Sequence, residues 1–267
     1  MTKNRYMKKQ KIILFAVSLI GLLLFFVMLY LVLTDSHWLS VRDHGTALKM
    51  SNSRNNFYNI LFVIISYLGN TKTIIAILIA LLIIPNRKKL GLPLLVITLE
   101  SLLLSIIFKN IVARERPAGY FLETSVLGYT FPHGYSFPSG HAQSANVFWL
   151  GFSLLFAQNV CKNKFVSHLI VANATLFCFL MCFARVYLCV HFLSDVLAGV
   201  GLAIFLIGTN VLLFDHIQNK RNFYALNKYK FWKKLCTSKK DFPLLYIHKI
   251  LTIFSYTPEV IHFYTQS

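Results

Sequence analysis

Acidic side chains are scarce in this chain: 267 residues hold nine Asp and Glu against 27 Lys and Arg, a formal net charge of +18. So few carboxylates exclude the mixed-charge surface of a soluble globule. Paired cysteines are missing as well. Cys161, Cys178, Cys182, Cys189 and Cys236 form no C-x-x-C, which leaves neither a zinc-site spacing nor a disulfide framework. Internal repeats and low-complexity linkers are also absent, so one domain of residues 1–214 and a basic tail of residues 215–267 account for the chain. The cations gather beside apolar runs rather than along one soluble face. That pattern speaks for membrane lipids as neighbours and against nucleic acid.

What the chain has in abundance is apolar sequence, 56% of its residues. About 20 apolar residues cross a bilayer as a helix. Runs of that order at residues 12–33, 67–85, 90–108, 142–157, 166–184 and 196–214 predict an all-α, polytopic membrane protein, a bundle of six transmembrane helices. The first run exceeds the apolar core of a signal peptide, and Thr34-Asp35-Ser36-His37 is no small-x-small cleavage site, so an uncleaved span is expected. The second run is interrupted by Gly69-Asn70-Thr71-Lys72. An interfacial helix over residues 59–66 leading into the span would suit it, as would one long tilted helix.

Lysines and arginines orient the bundle. Residues 1–11, Arg87-Lys88-Lys89, Lys162 with Lys164, and the tail from Lys220 fall on one side, which the positive-inside tendency makes cytoplasmic. Both termini are then cytoplasmic in a cell membrane. In the tail, residues 242–254 predict a surface helix rather than a seventh span, because His248 and Lys249 interrupt an already short run. Residues 34–66, 109–141 and 185–195 become the extracytoplasmic connections.

Two of these connections carry chemistry. The first holds Lys109-Asn-Ile-Val-Ala-Arg-Glu-Arg116-Pro117 and then Pro138-Ser139-Gly140-His141; the second is Arg185-Val-Tyr-Leu-Cys-Val-His191-Phe-Leu-Ser-Asp195. Each stretch sits at the outer end of a predicted span, so one bundle can bring all three to one pocket. Lys109, Arg116 and Arg185 lie against the topology bias, which suggests an anion as their partner. Arginine forks fit tetrahedral oxyanions, and lysine adds a point charge. Ser139 and Gly140 precede a helix start, whose free N–H groups and dipole favour an anion. His191 and Asp195 are four apart, one face of a helix that begins near His191. A carboxylate on one ring nitrogen would fix the tautomer and free the other nitrogen to attack. His141 is then available as general acid.

The pattern Lys-x6-Arg-Pro, Pro-Ser-Gly-His, Arg-x5-His-x3-Asp resembles the signature of the phosphatidic acid phosphatase type 2 and vanadium haloperoxidase superfamily, in its membrane lipid phosphate phosphatase branch. The first two motifs are complete; in the third, Ala184 stands where the family has serine. The motif core spans residues 109–195. The resemblance implies a metal-independent phosphatase without cofactor, its active site facing outside and its substrate a lipid phosphate. His191 would attack phosphorus to form a phosphohistidine, Asp195 would support it and His141 would protonate the leaving group. Lys109, Arg116, Ser139, Gly140 and Arg185 would hold the phosphate. Undecaprenyl diphosphate, phosphatidylglycerophosphate and phosphatidate are the expected outer-leaflet substrates, as for a bacterial cell-envelope enzyme.

Other residues have plainer readings. His133 and His141 have poor metal-ligand spacing, and His133 reads as part of the pocket mouth or the headgroup region. Arg114 and Glu115 read as solvated loop charges. Tyr120, Phe121, Tyr129, Phe131, Tyr135 and Phe137 read as an interfacial belt. Glu100, near the middle of the third span, is either functional or a hydrogen-bonded acid facing the bundle interior. That carboxylate also leaves open a membrane transporter, and a non-catalytic scaffold retaining the fold is the other alternative.

Overall fold

The computed structural model describes residues 2–83, 88–121, 126–159, 161 and 163–237, with side chains described for 11–83, 90–121, 127–157, 161, 163–214, 216 and 217. Among these residues the chain is helical and contains no strand. The helices are α1 (Thr2–Leu33), α2 (His37–Asn52), α3 (Asn56–Leu68), α4 (Thr71–Ile83), α5 (Lys88–Val112), α6 (Gly140–Ala145), α7 (Gly151–Asn159), α8 (Lys164–Tyr187) and α9 (Leu193–Thr237). A π-helical segment, Asn146–Leu150, joins α6 to α7. The chain divides into two compact units, Met1–Phe214 and Asp215–Ser267. The tail helix expected at residues 242–254 lies outside the described residues.

Among the described residues, four helical stretches are long and apolar enough to cross a membrane: Lys11–Leu33, Leu90–Val112, Lys164–Tyr187 and Leu193–Phe214. The bent pair α3 and α4 makes a fifth if it is one span. Its 43° bend falls at Gly69-Asn70, where the Asn70 carboxamide oxygen accepts from the Lys72 N–H and restarts the helix. The run expected to begin at residue 67 therefore splits, with Leu68 ending α3 and Thr71 opening α4. The suggested helix over residues 59–66 is the middle of α3.

α2 lies where the sequence reading expected only a connection. Its residues are too polar for a hydropathy search, yet Leu39, Asp43 and Ala47 share one buried face at four-residue spacing. Two apolar clusters join the helices around the motif ends. Phe25 of α1, Ile97 of α5 and Ala198, Leu202 and Leu206 of α9 enclose Phe137. Phe62 and Val63 of α3 meet Met181, Ala184 and Tyr187 of α8. Phe137 is fully buried in the first of these, so it belongs to the core and not to an interfacial belt.

Candidate active site

Three helix ends deliver the motif residues. α5 closes at Ala113, whose N–H bonds Lys109 O at 3.0 Å and whose φ of 48° is left-handed. That is a single-bond helix stop, normally made with glycine. It turns the chain so that Arg114 and Arg116 leave the helix just beyond Lys109. α8 closes in the same manner at Cys189, φ 50°. The N–H groups of Cys189 and Val190 return to Val186 O and Arg185 O, a Schellman motif. His191 follows at once. A side chain in the left-handed region costs about 1–2 kcal/mol, and in each case the strained residue immediately precedes the functional segment.

α9 begins at Leu193, so His191 lies in the turn before it and does not share a helical face with Asp195. Asp195 occupies the third helical position and reaches back, its Oδ2 accepting from Phe192 N at 2.8 Å. This is the carboxylate half of a capping box, and an anion there also suits the helix dipole. α6 starts at Gly140 with Ser139 as its cap, the Ser139 hydroxyl accepting from Ala142 N at 3.4 Å. Ser139 N–H donates to Asp195 O at 2.9 Å, which ties the turn to α9. Gly199 permits that contact: a Cβ there would stand 2.7 Å from Ser139 O. With Ser139 and Ala142 engaged, Gly140 and His141 supply the N–H donors at the helix start.

Arg116 makes four hydrogen bonds. Its Nε donates to Gly134 O at 2.9 Å, Nη2 to Tyr135 O at 3.2 Å, and Nη1 to both Val190 O at 2.7 Å and His191 Nε2 at 3.0 Å. A guanidinium only donates, so Nε2 of His191 is the acceptor and the ring proton sits on Nδ1. Nδ1 lies 3.2 Å from Ser136 Oγ, and Ser136 donates its own hydroxyl to Asp195 Oδ2. Asp195 Oδ2 itself is 3.7 Å from Nδ1, beyond hydrogen-bonding reach. The contact between carboxylate and ring expected from the sequence therefore passes through Ser136.

Lys109 Nζ donates to Tyr135 O at 2.6 Å. Arg185 is fully buried at the end of α8 and gives one bond, Nη1 to Ser66 Oγ at 3.0 Å. Among the described residues nothing accepts from its Nε or Nη2. His141, on the first turn of α6, is within Coulombic range of Arg185, His191, Arg116 and Lys109. The structure thus gathers His141, His191, Lys109, Arg116 and Arg185, with Asp195 behind His191. Burial, reinforced by Arg116, Arg185 and Lys109, holds His191 well below the ordinary imidazole value. Its resting form is a neutral ring with an unprotonated Nε2. Burial and the neighbouring Arg185 likewise push the Arg116 guanidinium down to about 10.

The PAP2 superfamily model matches residues 90–218. That stretch, which holds every motif residue, is a PAP2 superfamily region. A crystal structure described as the first transmembrane PAP2 type phosphatidylglycerolphosphate phosphatase from Bacillus subtilis is 22% identical. It aligns over 74% of this chain and 96% of its own, with a TM-score of 0.63, and at that identity the likeness is one of fold. A crystal structure of Aquifex aeolicus LpxE is 26% identical over 62% of this chain and 94% of its own, with a TM-score of 0.48. No curated protein matches the sequence.

Within this PAP2 fold several residues differ from their sequence reading. Arg114, taken for a solvated loop charge, donates to Ser194 Oγ at 2.7 Å and Asp195 Oδ1 at 2.6 Å, and to Asp43 Oδ2 at 2.8 Å. Ser136 and Asp43 also went unnoticed. Ser136 directly precedes the Phe137-Pro138 pair and could have been found there; Asp43 lies on α2, far from every motif. Glu100 accepts from Asn210 Nδ2 at 2.6 Å, the hydrogen-bonded arrangement of an interior acid. His133 is exposed. A cavity of about 890 Å3 opens beside the cluster, between the C-terminal end of α1, α2 and the loop carrying Arg114, Arg116 and Tyr120. Phe192 lines it, but His191 and His141 do not, so it adjoins the histidines without containing them.

Proposed function

We propose that this PAP2 protein is a metal-independent lipid phosphate phosphatase that works through a phosphohistidine. The observation that carries the reading is the His191 ring, neutral, its proton held on Nδ1, its Nε2 turned to a group of cations. In the reaction, phosphate oxygens take over the Arg116 Nη1 that rests against Nε2. Arg185, with two buried donors to offer, Lys109 and the N–H groups of Gly140 and His141 bind the remaining oxygens. The Nε2 lone pair forms the N–P bond as the P–O bond to the lipid breaks, and His141, which takes up a proton as the bound phosphate neutralises the surrounding cations, gives it to that oxygen. As positive charge grows on the His191 ring, Nδ1–H, Ser136 and Asp195 stabilise it. Water then attacks the phosphohistidine with His141 as base, releasing phosphate and restoring Nε2. A cluster of cations with its carboxylate already bridged by Arg114 suits an anion far better than a divalent metal ion.

Six spans fit the helices. α6, the π segment and α7 run from residue 140 to 159, about 30 Å at 1.5 Å per residue, and add a crossing to the bent pair and the four long helices. The three motif ends then lie at one face, with the basic clusters of residues 1–11 and the tail at the cytoplasmic face. That arrangement has the site facing outside, and the lipid phosphate there would be undecaprenyl diphosphate, phosphatidylglycerophosphate or phosphatidate. The cavity beside Arg116 offers space for the part of the substrate beyond the phosphate.

The test is phosphate release by the purified full-length protein from these three lipids in mixed micelles, with chelator present. Activity with chelator and none in His191→Ala is expected. Loss of activity on chelation would remove the metal-free mechanism, and a fully active His191→Ala would remove the nucleophile.

A further inference from the structure

Behind Asp195 the hydrogen-bond chain continues onto α2. Arg114 spans two carboxylates, Nη1 on Asp195 Oδ1 at 2.6 Å and Nη2 on Asp43 Oδ2 at 2.8 Å. Asp43 in turn accepts from Ser194 N at 3.1 Å and from the Ser194 hydroxyl, so it caps the start of α9 next to Asp195. Both carboxylates are buried, with relative side-chain exposure of 2% and 0%, and the Arg114 side chain is 18% exposed. The guanidinium carbon also lies 4.4 Å from the centre of the Phe192 ring. Burial disfavours the Arg114 charge, but Asp195 and Asp43 outweigh it and lift the group above its ordinary value. This is the geometry of a fixed clamp, since breaking one partner would leave a buried charge uncompensated.

The two oxygens of Asp195 are divided between two tasks. Oδ2 receives Ser136 and Phe192 N, and faces the nucleophile; Oδ1 receives Arg114. A carboxylate held at both oxygens cannot rotate to meet Nδ1 directly.

We propose that Arg114 and Asp43 are positioning residues for the phosphatase reaction, a clamp from α2 that fixes the Asp195 carboxylate and thereby the orientation and basicity of His191. The proposal rests on the phosphatase reading above. The charged groups facing His191 are Asp195 from α9, Arg116 and Lys109 from α5 and its following loop, Arg185 from α8 and His141 from α6. Arg114 and Asp43 stand one step behind Asp195, with His44 and Glu115 on the adjoining cavity wall, where His44 Nδ1 lies 3.2 Å from Tyr120 Oη. Removing the Arg114 cation raises the basicity of His191, because one less positive charge opposes the imidazolium and Asp195 is freed to approach it. Removing the Asp43 charge has the opposite sign, because Arg114 is then shared with no second carboxylate.

The experiment measures kcat and kcat/KM against pH for the full-length protein on phosphatidate in mixed micelles, for the unaltered sequence, Arg114→Gln, Arg114→Lys and Asp43→Asn. The acid limb of kcat/KM is expected to move up by about half a unit in Arg114→Gln and to move down in Asp43→Asn. A kcat loss of tenfold or more is expected in Arg114→Gln, with partial recovery in Arg114→Lys. Two results overturn the proposal: variants with unchanged kcat and acid limb, or variants that lose kcat while the acid limb stays in place. The second is the mark of a purely structural role. Should Arg114→Gln fail to fold, Asp43→Asn alone decides by the direction of its shift. An inactive unaltered protein would instead count against the phosphatase reading itself.

Discussion

Arg116 Nη1 rests 3.0 Å from His191 Nε2, so the unprotonated nitrogen of the ring is held by a cation until an anion replaces it. Two effects follow for an Arg116→Gln variant. It loses a charge-assisted donor to the phosphate, for which a fall in kcat/KM of about 10²–10³ is typical. It also removes the cation that, after burial, does most to hold His191 low. In the unaltered protein His191 stays unprotonated until well below 6.5, and the variant's acid limb is expected at higher pH. Paired pH–rate profiles on one substrate test this, since the substrate's own ionisation is common to both. A limb that stays in place or moves down would show that Arg116 does not set the basicity of Nε2.

Ser136 is expected to matter more than a loop serine should. In Ser136→Ala the Nδ1–H loses its acceptor, and Asp195 Oδ2 stands 3.7 Å away, too far to replace it without moving. The proton is then free to shift to Nε2, which silences the nucleophile. A tenfold to hundredfold fall in kcat is predicted. Because Ser136 and Asp195 act through one chain, the double variant Ser136→Ala with Asp195→Asn should lose far less than the product of the two single losses. Multiplicative losses in that cycle would mean two separate routes to the ring.

Gly140 separates binding from folding. A Cβ at this position would meet Ser105 Oγ at 3.4 Å and Lys109 Cε at 3.8 Å, ordinary contacts, so the protein's own packing leaves room for a methyl group. Gly140→Ala should therefore keep or slightly raise thermal stability, by about 0.4–1 kcal/mol from the stiffer unfolded chain. The methyl group would crowd the phosphate against the helix start, and KM should rise. A stable variant with unchanged KM would show that phosphate does not approach this turn.

How much of this was legible beforehand depends on how local each signal is. The motif residues could be read because their chemistry is condensed into three short stretches, and the long apolar helices because hydropathy is additive along the chain. α2 was not, since its buried face of Leu39, Asp43 and Ala47 is set in a polar sequence. Arg114 was misread because its partners lie 71 and 81 residues away, a distance no local pattern reports. The two helix stops at Ala113 and Cys189 were also hidden, because the usual marker of a left-handed cap is glycine and neither position has one. His191 was expected on a helix with Asp195, whereas the Schellman turn at Cys189 leaves it one residue short of α9's cap.

Arg185 offers a test that needs no turnover. It is a fully buried arginine with two donor nitrogens that meet no acceptor among the described residues, an arrangement that costs stability until an anion arrives. Vanadate, which takes up the five-coordinate geometry of a phosphoryl transfer, can supply those acceptors. Ligand that binds only the folded state stabilises it by RT ln(1 + [L]/Kd), about 2.7 kcal/mol at a hundredfold excess over Kd. The unaltered protein should therefore gain thermal stability on adding vanadate and should be inhibited by it. Arg185→Met, close in length and uncharged, should match or exceed the ligand-free stability of the unaltered protein and gain nothing from vanadate. A stability gain from vanadate that survives Arg185→Met would take this arginine out of the phosphate site and leave its unmet donors to another role.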